Sequence, residues 1–263
     1  MARSDRSRHW RITSDVIRSR KRVTSWERGR SGCSPRHRTR RKNRTPQRER
    51  NSISFRTGGT VNVSVLIATF GEPRWERLAW DRARPSAEMQ GAEEILCFHD
   101  PEGTLASARN ELGRTAKGDW LCFLDADDEL APGYLDAMQR IHEQEISSYP
   151  SLLLTPAVQY VSTRGQKEPP KFWAECSLTT GNWMVIGTLV PRQLFLEVGG
   201  FEEWPIYEDW ALWGRCWKAG ARPVRVPDAI YLAHRKRGLT RNHALHRREI
   251  NRVYQEIRQA VFG

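Results

Sequence analysis

Long apolar runs are missing from this chain. The longest, near Val63 to Phe70, is only strand length, far short of the roughly 20 residues that cross a bilayer. The amino-terminal end is charged but lacks the apolar stretch of a secretory signal. Cysteine is scarce: Cys33, Cys97, Cys122, Cys176 and Cys216 are odd in number, widely spaced and form no C-x-x-C pair. That argues against a disulfide framework and against a zinc knuckle. These absences predict a reduced, cytoplasmic setting, with any membrane contact peripheral.

What is present is core-forming material and an uneven charge. The 263 residues are 38% hydrophobic with 11 Trp, enough to bury a proper core. The formal charge of +12 is of the kind that draws polyanions, but it is concentrated at one end. Residues 1–60 hold 19 of the 43 basic and 4 of the 31 acidic residues, a charge of +15, and the remaining 203 carry −3.

Segment 1–60 has Arg-rich stretches such as Arg36-His37-Arg38-Thr39-Arg40-Arg41 and few, scattered apolar residues, so disorder is expected. Three readings stand. It is a basic arm for nucleic acid or another anionic surface, an inert solvated tail, or a segment upstream of the true start. Arg outnumbers Lys 36 to 7, which points to a GC-rich gene. Gly58-Gly59 can be encoded by a ribosome-binding purine run, and Val61 then reads as a GTG start. The expected organisation is 1–60 disordered and 61–263 folded, the latter divided into 61–130, 150–240 and a C-terminal helix over 241–263.

The folded part reads as alternating strands and helices. Asn62 to Phe70 is a buried strand closed by Gly71 and Pro73. Trp75, Leu78, Ala79, Ala83 and Ala87 have helical spacing. Glu94–Asp100 is a second strand, Leu105–Ala116 a helix, and Trp120–Leu124 a third strand running into Asp125-Ala126-Asp127-Asp128. Leu135, Met138 and Ile141 mark another helix. This order predicts an α/β fold of Rossmann-like form, a mainly parallel central sheet flanked by helices. Further on, Leu152–Val161 and Gly187–Val190 are expected strands and Ser162–Pro170 a polar loop. Arg192–Val198 and Glu208–Ala219 are expected helices, the second with Trp210, Trp213 and Trp217 on one face. Arg222–Val226 and Ala229–Ala233 are two more strands, and Asn242–Val261 is an amphipathic helix.

Three constellations could carry chemistry at the carboxyl ends of the strands, where such sheets bind ligands. Asp125-x-Asp127 with Asp128 is either a hard-oxygen site for Mg²⁺ or Mn²⁺ or an acidic turn capping the next helix. Glu208-Asp209 is either a general base beside Trp210 and Trp213 or an ordinary acidic helix start. In Ala106-Ser107-Ala108-Arg109-Asn110, Arg109 is either a phosphate contact or a surface arginine. His234 is a metal ligand, a phosphate contact, or structural.

The ordered set Val63–Phe70, Ala106–Asn110, Gly118–Leu130, Gly199-Gly200-Phe201-Glu202 and Tyr207–Trp213 resembles family 2 glycosyltransferases with the GT-A fold, over about residues 62–240. The resemblance implies transfer of a sugar from a nucleotide-diphospho-sugar, with inversion at the anomeric carbon. It implies a divalent cation, Mn²⁺ or Mg²⁺, at Asp125 and Asp127, beside which His234 is the candidate third ligand. Asp209 is then the base with Glu208 beside it, Thr69, Phe70 and Asp100 line the nucleoside pocket with Arg109 nearby, and Asp125 also holds the nucleotide. On this view 61–130 is the nucleotide-sugar half and 150–240 the acceptor half.

One departure stands out. Members usually show a strand ending in paired aspartates before the Ala-Arg-Asn helix, whereas here a single strand ends His99-Asp100-Pro101-Glu102-Gly103. The acceptor is a glycan, a lipid-linked glycan, a protein or modified DNA, and Trp173 and Trp183 are candidates to stack on a sugar ring. The competing readings are a nucleotidyltransferase on a related fold and a non-catalytic, basic-arm nucleic-acid binder.

Overall fold

A computed structural model describes residues 61–149, 151–173, 177–235 and 246–263. The expectations for segment 1–60, and the start of the helix expected from Asn242, lie outside the described residues. The described residues begin with β1 (Val63–Phe70), followed by α1 (Pro73–Leu78), a π turn (Ala79–Ala83) and α2 (Arg84–Glu88). The expected single helix is thus interrupted by a wider turn. Pro85 has no N–H to give and its ring crowds the carbonyl of residue 81, and a local widening accommodates both.

Next come β2 (Glu94–Asp100), α3 (Leu105–Thr115), β3 (Trp120–Phe123), β4 (Glu129–Leu130) and α4 (Tyr134–Glu145). The second half holds β5 (Leu152–Val161), β6 (Leu189–Pro191), α5 (Arg192–Glu197), α6 (Glu208–Lys218), β7 (Arg222–His234) and α7 (Arg247–Ile257), closed by a π turn (Arg258–Phe262).

Seven strands form one sheet in the order β2-β1-β3-β6-β5-β7-β4. β1 pairs parallel with β2 and β3, and β5 pairs parallel with β7. β6 runs antiparallel to both β3 and β5, and β4 antiparallel to β7. β1, β2, β3, β5 and β7 therefore all point the same way, and their carboxyl ends share one edge. That is the mainly parallel α/β sheet expected from the sequence. The single strand before α3 is the sheet's edge, β2.

Two differences from the sequence reading have local causes. The strands expected at Arg222–Val226 and Ala229–Ala233 are one strand, β7. Its register against β5 jumps from Val226 opposite Pro156 to Ile230 opposite Ala157, because Pro227 cannot donate to a ladder and is taken up in the bulge. The unexpected β4 is only two residues long. It pairs Glu129 with Leu232 and Leu130 with Tyr231, and this pins the acidic turn before it to the end of β7.

The core lies where the apolar runs predicted. Val65, Leu66, Leu121, Leu152, Leu153, Leu154, Leu189, Trp210 and Trp213 are buried. Trp217 differs: it is 41% exposed and lies against Phe262, with ring centroids 6.3 Å apart. Ser64 is fully buried inside β1 because its hydroxyl donates to Glu94 (2.6 Å) and accepts from the Gly118 N–H (2.9 Å). Gly118 is required there, since a Cβ would meet the Ser64 nitrogen at 2.6 Å.

Candidate active site

The acidic turn after β3 brings three carboxylates together. Oxygens of Asp125, Asp127 and Asp128 lie within 4.8 Å of one another. Each is held differently. Asp125 Oδ1 accepts from Arg109 Nη2 at 2.7 Å. The carbonyl of Asp127 accepts from Arg82 Nη1 at 2.8 Å. Asp128 accepts from the His234 backbone N–H at 2.8 Å and from the Tyr231 hydroxyl. Burial and the charges of Asp127 and Asp125 push the Asp128 carboxyl well above the usual range. Such a cluster of hard oxygens is chemically suited to a small divalent cation.

The Ala106–Asn110 segment acquires a physical meaning in three dimensions. α3 starts at Thr104, whose hydroxyl accepts from the Ser107 N–H while Ser107 Oγ accepts from the Thr104 N–H, a reciprocal cap. Ala106 and Ala108 are buried, and their small side chains allow the helix close to the sheet. Arg109, on the inner side, is buried with its guanidinium between Asp125 (2.7 Å) and Glu208 (2.9 Å) and 4.9 Å above the Phe201 ring. The guanidinium thus joins two carboxylate groups. Asn110 bonds both backbone groups of Phe201, accepting from N–H at 2.7 Å and donating to C=O at 2.8 Å.

Glu208 and Asp209 open α6, and the residue before them is unusual. Tyr207 has φ of 60°, a left-handed conformation that costs a non-glycine residue about 1 kcal/mol or more. It turns the chain so that Glu208 meets Arg109 while Asp209 faces Asn182, whose amide donates to Asp209 Oδ2 at 3.0 Å. The Trp210 N–H donates to the other oxygen at 2.8 Å. Burial, and then the neighbouring Glu208 charge, push the Asp209 carboxyl up to about 7. A carboxylate tuned to neutrality is suited to moving a proton.

The remaining expected site residues fall as follows. Phe70 ends β1, half-buried, at the carboxyl edge. Thr69 is 4% exposed, and its hydroxyl bonds His99 Nδ1 at 2.9 Å. Asp100 accepts from the Gly103 N–H (2.9 Å) and from Ser107 Oγ (3.2 Å). Thr69 thus ties β1 to β2 and Asp100 braces the β2–α3 turn, both at the carboxyl edge of the sheet. His234 is not among the clustered ligands: its ring bonds Glu129, and its backbone serves Asp128. Trp183 is 6% exposed, too enclosed to stack on a sugar, whereas Trp173 is 45% exposed. Arg82, Asn110, Asn182 and Tyr207 were missed. Each acts through a partner between 27 and 91 residues away or, for Tyr207, through backbone geometry, and no local pattern marks such roles.

The sequence profile of Glycosyl transferase family 2 matches residues 85–181. Among solved structures, S. aureus TarS 1–349 in complex with UDP-GlcNAc is similar with a TM-score of 0.54 and 15% identity, over 74% of this chain and 65% of that one. Another structure of TarS 1–349 gives 0.48 and 14%, over 66% and 60%. This chain thus spans less than two thirds of the length of those structures. No curated protein matches significantly. The profile runs through α3 and the acidic turn, so residues 85–181 match glycosyl transferase family 2, and the fold is shared with TarS.

Proposed function

We propose that the chain transfers a sugar from a nucleotide-diphospho-sugar to an acceptor hydroxyl, inverting the anomeric carbon, with Mn²⁺ or Mg²⁺ held by Asp125 and Asp127. One arrangement supports this best. A carboxylate tuned to about 7 sits at the start of α6, beside Glu208, and the buried Arg109 joins Glu208 to the acidic cluster. A proton acceptor and a cation-binding group are thus held in fixed relation. TarS binds UDP-GlcNAc in its complex, which makes a uridine donor the first to test.

The reaction follows from the charges involved. The acceptor oxygen attacks the anomeric carbon, the bond from that carbon to the terminal phosphate oxygen breaks, and the departing electron pair stays on the nucleoside diphosphate. Asp209 accepts the proton of the attacking hydroxyl. Bond making and breaking on opposite faces of one carbon give inversion. A divalent cation at the Asp cluster, when bound, supplies charge neutralisation for the diphosphate. Arg109 fixes Asp125 and Glu208, Asn182 orients Asp209, and Thr69, Phe70 and Asp100 stand at the nucleoside end.

The test is thermal unfolding of the full chain with UDP, GDP and dTDP, each with and without Mn²⁺. A ligand that binds only the folded state at a hundredfold excess over Kd stabilises it by about 2.7 kcal/mol. The expected outcome is a metal-dependent shift with one nucleotide. A folded protein that shifts with none overturns the proposal.

A further inference from the structure

The carboxyl edge of the sheet holds a second feature, on the far side of β3 and β6 from the strand ends of β1 and β2. A cavity of about 340 Å³ lies between the ends of β5 and β7, lined by Arg82, Ser162, Thr163, His234 and Arg235 among others. That volume falls within the range of small-molecule sites. The cavity adjoins the acidic turn, because Arg82 bonds the Asp127 carbonyl and His234 bonds Asp128 through its backbone. The lining is rich in N–H and O–H donors, the complement of an anion.

A cationic and aromatic track leads outward from the cavity. The chain after β5 turns back on itself, with Ser162 N–H donating to the Gln166 carbonyl and Lys171 exchanging both backbone bonds with Val158. This places Arg235 over the Tyr160 ring at 4.6 Å and Lys171 over the same ring at 5.0 Å. The exposed Trp173 meets Tyr160 edge-on, with centroids 6.3 Å apart. Glu168 pairs with both Arg235 (2.8 Å) and Lys171 (3.6 Å). Along the track Lys171 and Arg235 face one carboxylate, leaving it net positive, while Arg82 lines the cavity where it meets the acidic turn. An exposed indole beside fixed cations fits a sugar ring that carries negative charge.

We propose that this cavity and track form the acceptor subsite and that the acceptor is an anionic glycan, with its charged group in the cavity and a sugar ring on Trp173. The inference rests on the glycosyl-transfer reading. The site lies across β3 and β6 from the β1–β2 ends assigned to the nucleoside, and it borders the acidic turn proposed to hold the cation.

The test is migration of the full chain through native gels cast with a phosphate-bearing mannan, with neutral dextran of matched size, or with single-stranded DNA, each referenced to a gel without polymer. The basic segment 1–60 adds the same background to every variant, so differences between variants are what count. Phosphomannan should retard the wild type and dextran should not. Arg235→Gln and Trp173→Ala should each weaken the apparent affinity roughly fivefold, the scale of one partly exposed charge or stacking contact. Glu168→Gln should strengthen it, an outcome that misfolding cannot imitate. Arg140→Gln, on a distant surface pair with Asp228, should behave as wild type.

Equal migration of wild type, Arg235→Gln and Glu168→Gln overturns the proposal. So does retardation by DNA that matches the phosphomannan in strength and in sensitivity to these variants. A nucleotide thermal shift on the same preparations separates the two layers. Retained variant-sensitive glycan binding without any nucleotide binding removes the glycosyl-transfer reading but supports the anionic-glycan site.

Discussion

Arg109 reaches Glu208 across 99 positions of sequence, at 2.9 Å, while its other terminal nitrogen holds Asp125 at 2.7 Å. One guanidinium thereby ties the end of β3 to the start of α6. Removing one member of a buried ion group strands the others, at a cost of about 3–5 kcal/mol. Arg109→Ala should lose stability on that scale in urea denaturation. Arg109→Lys should recover only part of it, because an ammonium lacks the planar fork that spans two carboxylates. A lysine variant as stable as wild type would contradict the bridging role.

Asp209→Asn should separate catalysis from stability. Loss of the base lowers turnover by roughly 10²–10⁴-fold. Stability should move the other way at high pH. The folded carboxyl titrates near 7 against an ordinary value of 3.8, so folding is progressively disfavoured as pH rises between those values. The variant should therefore melt above wild type at pH 8, with the gap closing at pH 5. A gap independent of pH would remove Asp209 as its source.

With Asp209 as the proposed base, the same titration should set the pH dependence of the reaction. Asp209 must be ionised to accept a proton, so kcat/KM should rise with pH to about 7 and level off beyond it. The Asn182 amide stabilises the ionised form through its 3.0 Å bond. Asn182→Ala should therefore displace the acid limb to higher pH while leaving the alkaline plateau much less affected. Superimposable profiles would show that Asn182 does not orient the base.

Asp127→Ala should abolish the metal-dependent part of the nucleotide thermal shift while the protein still unfolds cooperatively. Asp127 contributes to the three-carboxylate group, and losing one hard ligand weakens the hold on a divalent cation. A Mn²⁺-dependent shift of wild-type size in this variant would place the cation elsewhere.

Gly200→Ala should destabilise the fold by about 1–3 kcal/mol in urea titration. Gly200 has φ of +71°, and a Cβ there would lie 2.3 Å from Asn110 Oδ1. The intrusion would break the paired bonds from Asn110 to Phe201, and Phe201 is the ring beneath Arg109.

Much of this was legible in the chain itself, where the signal was local. The apolar run Val63–Phe70, buried almost throughout, announces a central strand because only a strand covered on both faces can be apolar at successive positions. Asp125 and Asp127 stand out because carboxylates placed straight after such a strand must lie at its exposed end. Helix starts, glycine stops and the change from period 2 to period 3.6 are properties of neighbouring residues, and they located most elements.

Partnership was not legible. Thr69 and Asp100 were read from their position at strand ends, but their bonds to His99, Gly103 and Ser107 could not be read there. Arg109 was read as either a phosphate contact or a surface arginine, and only the packing of α3 against β3 and α6 shows it buried with its charge engaged by two carboxylates. The sequence alone determined the alternation of elements and the residue types gathered at the strand ends, since both follow from nearest-neighbour chemistry. Which carboxylate is bound, which is raised toward neutrality and which cations gather beside Tyr160 were decided by the tertiary structure. Burial and charge separation depend on residues brought together from distant parts of the chain.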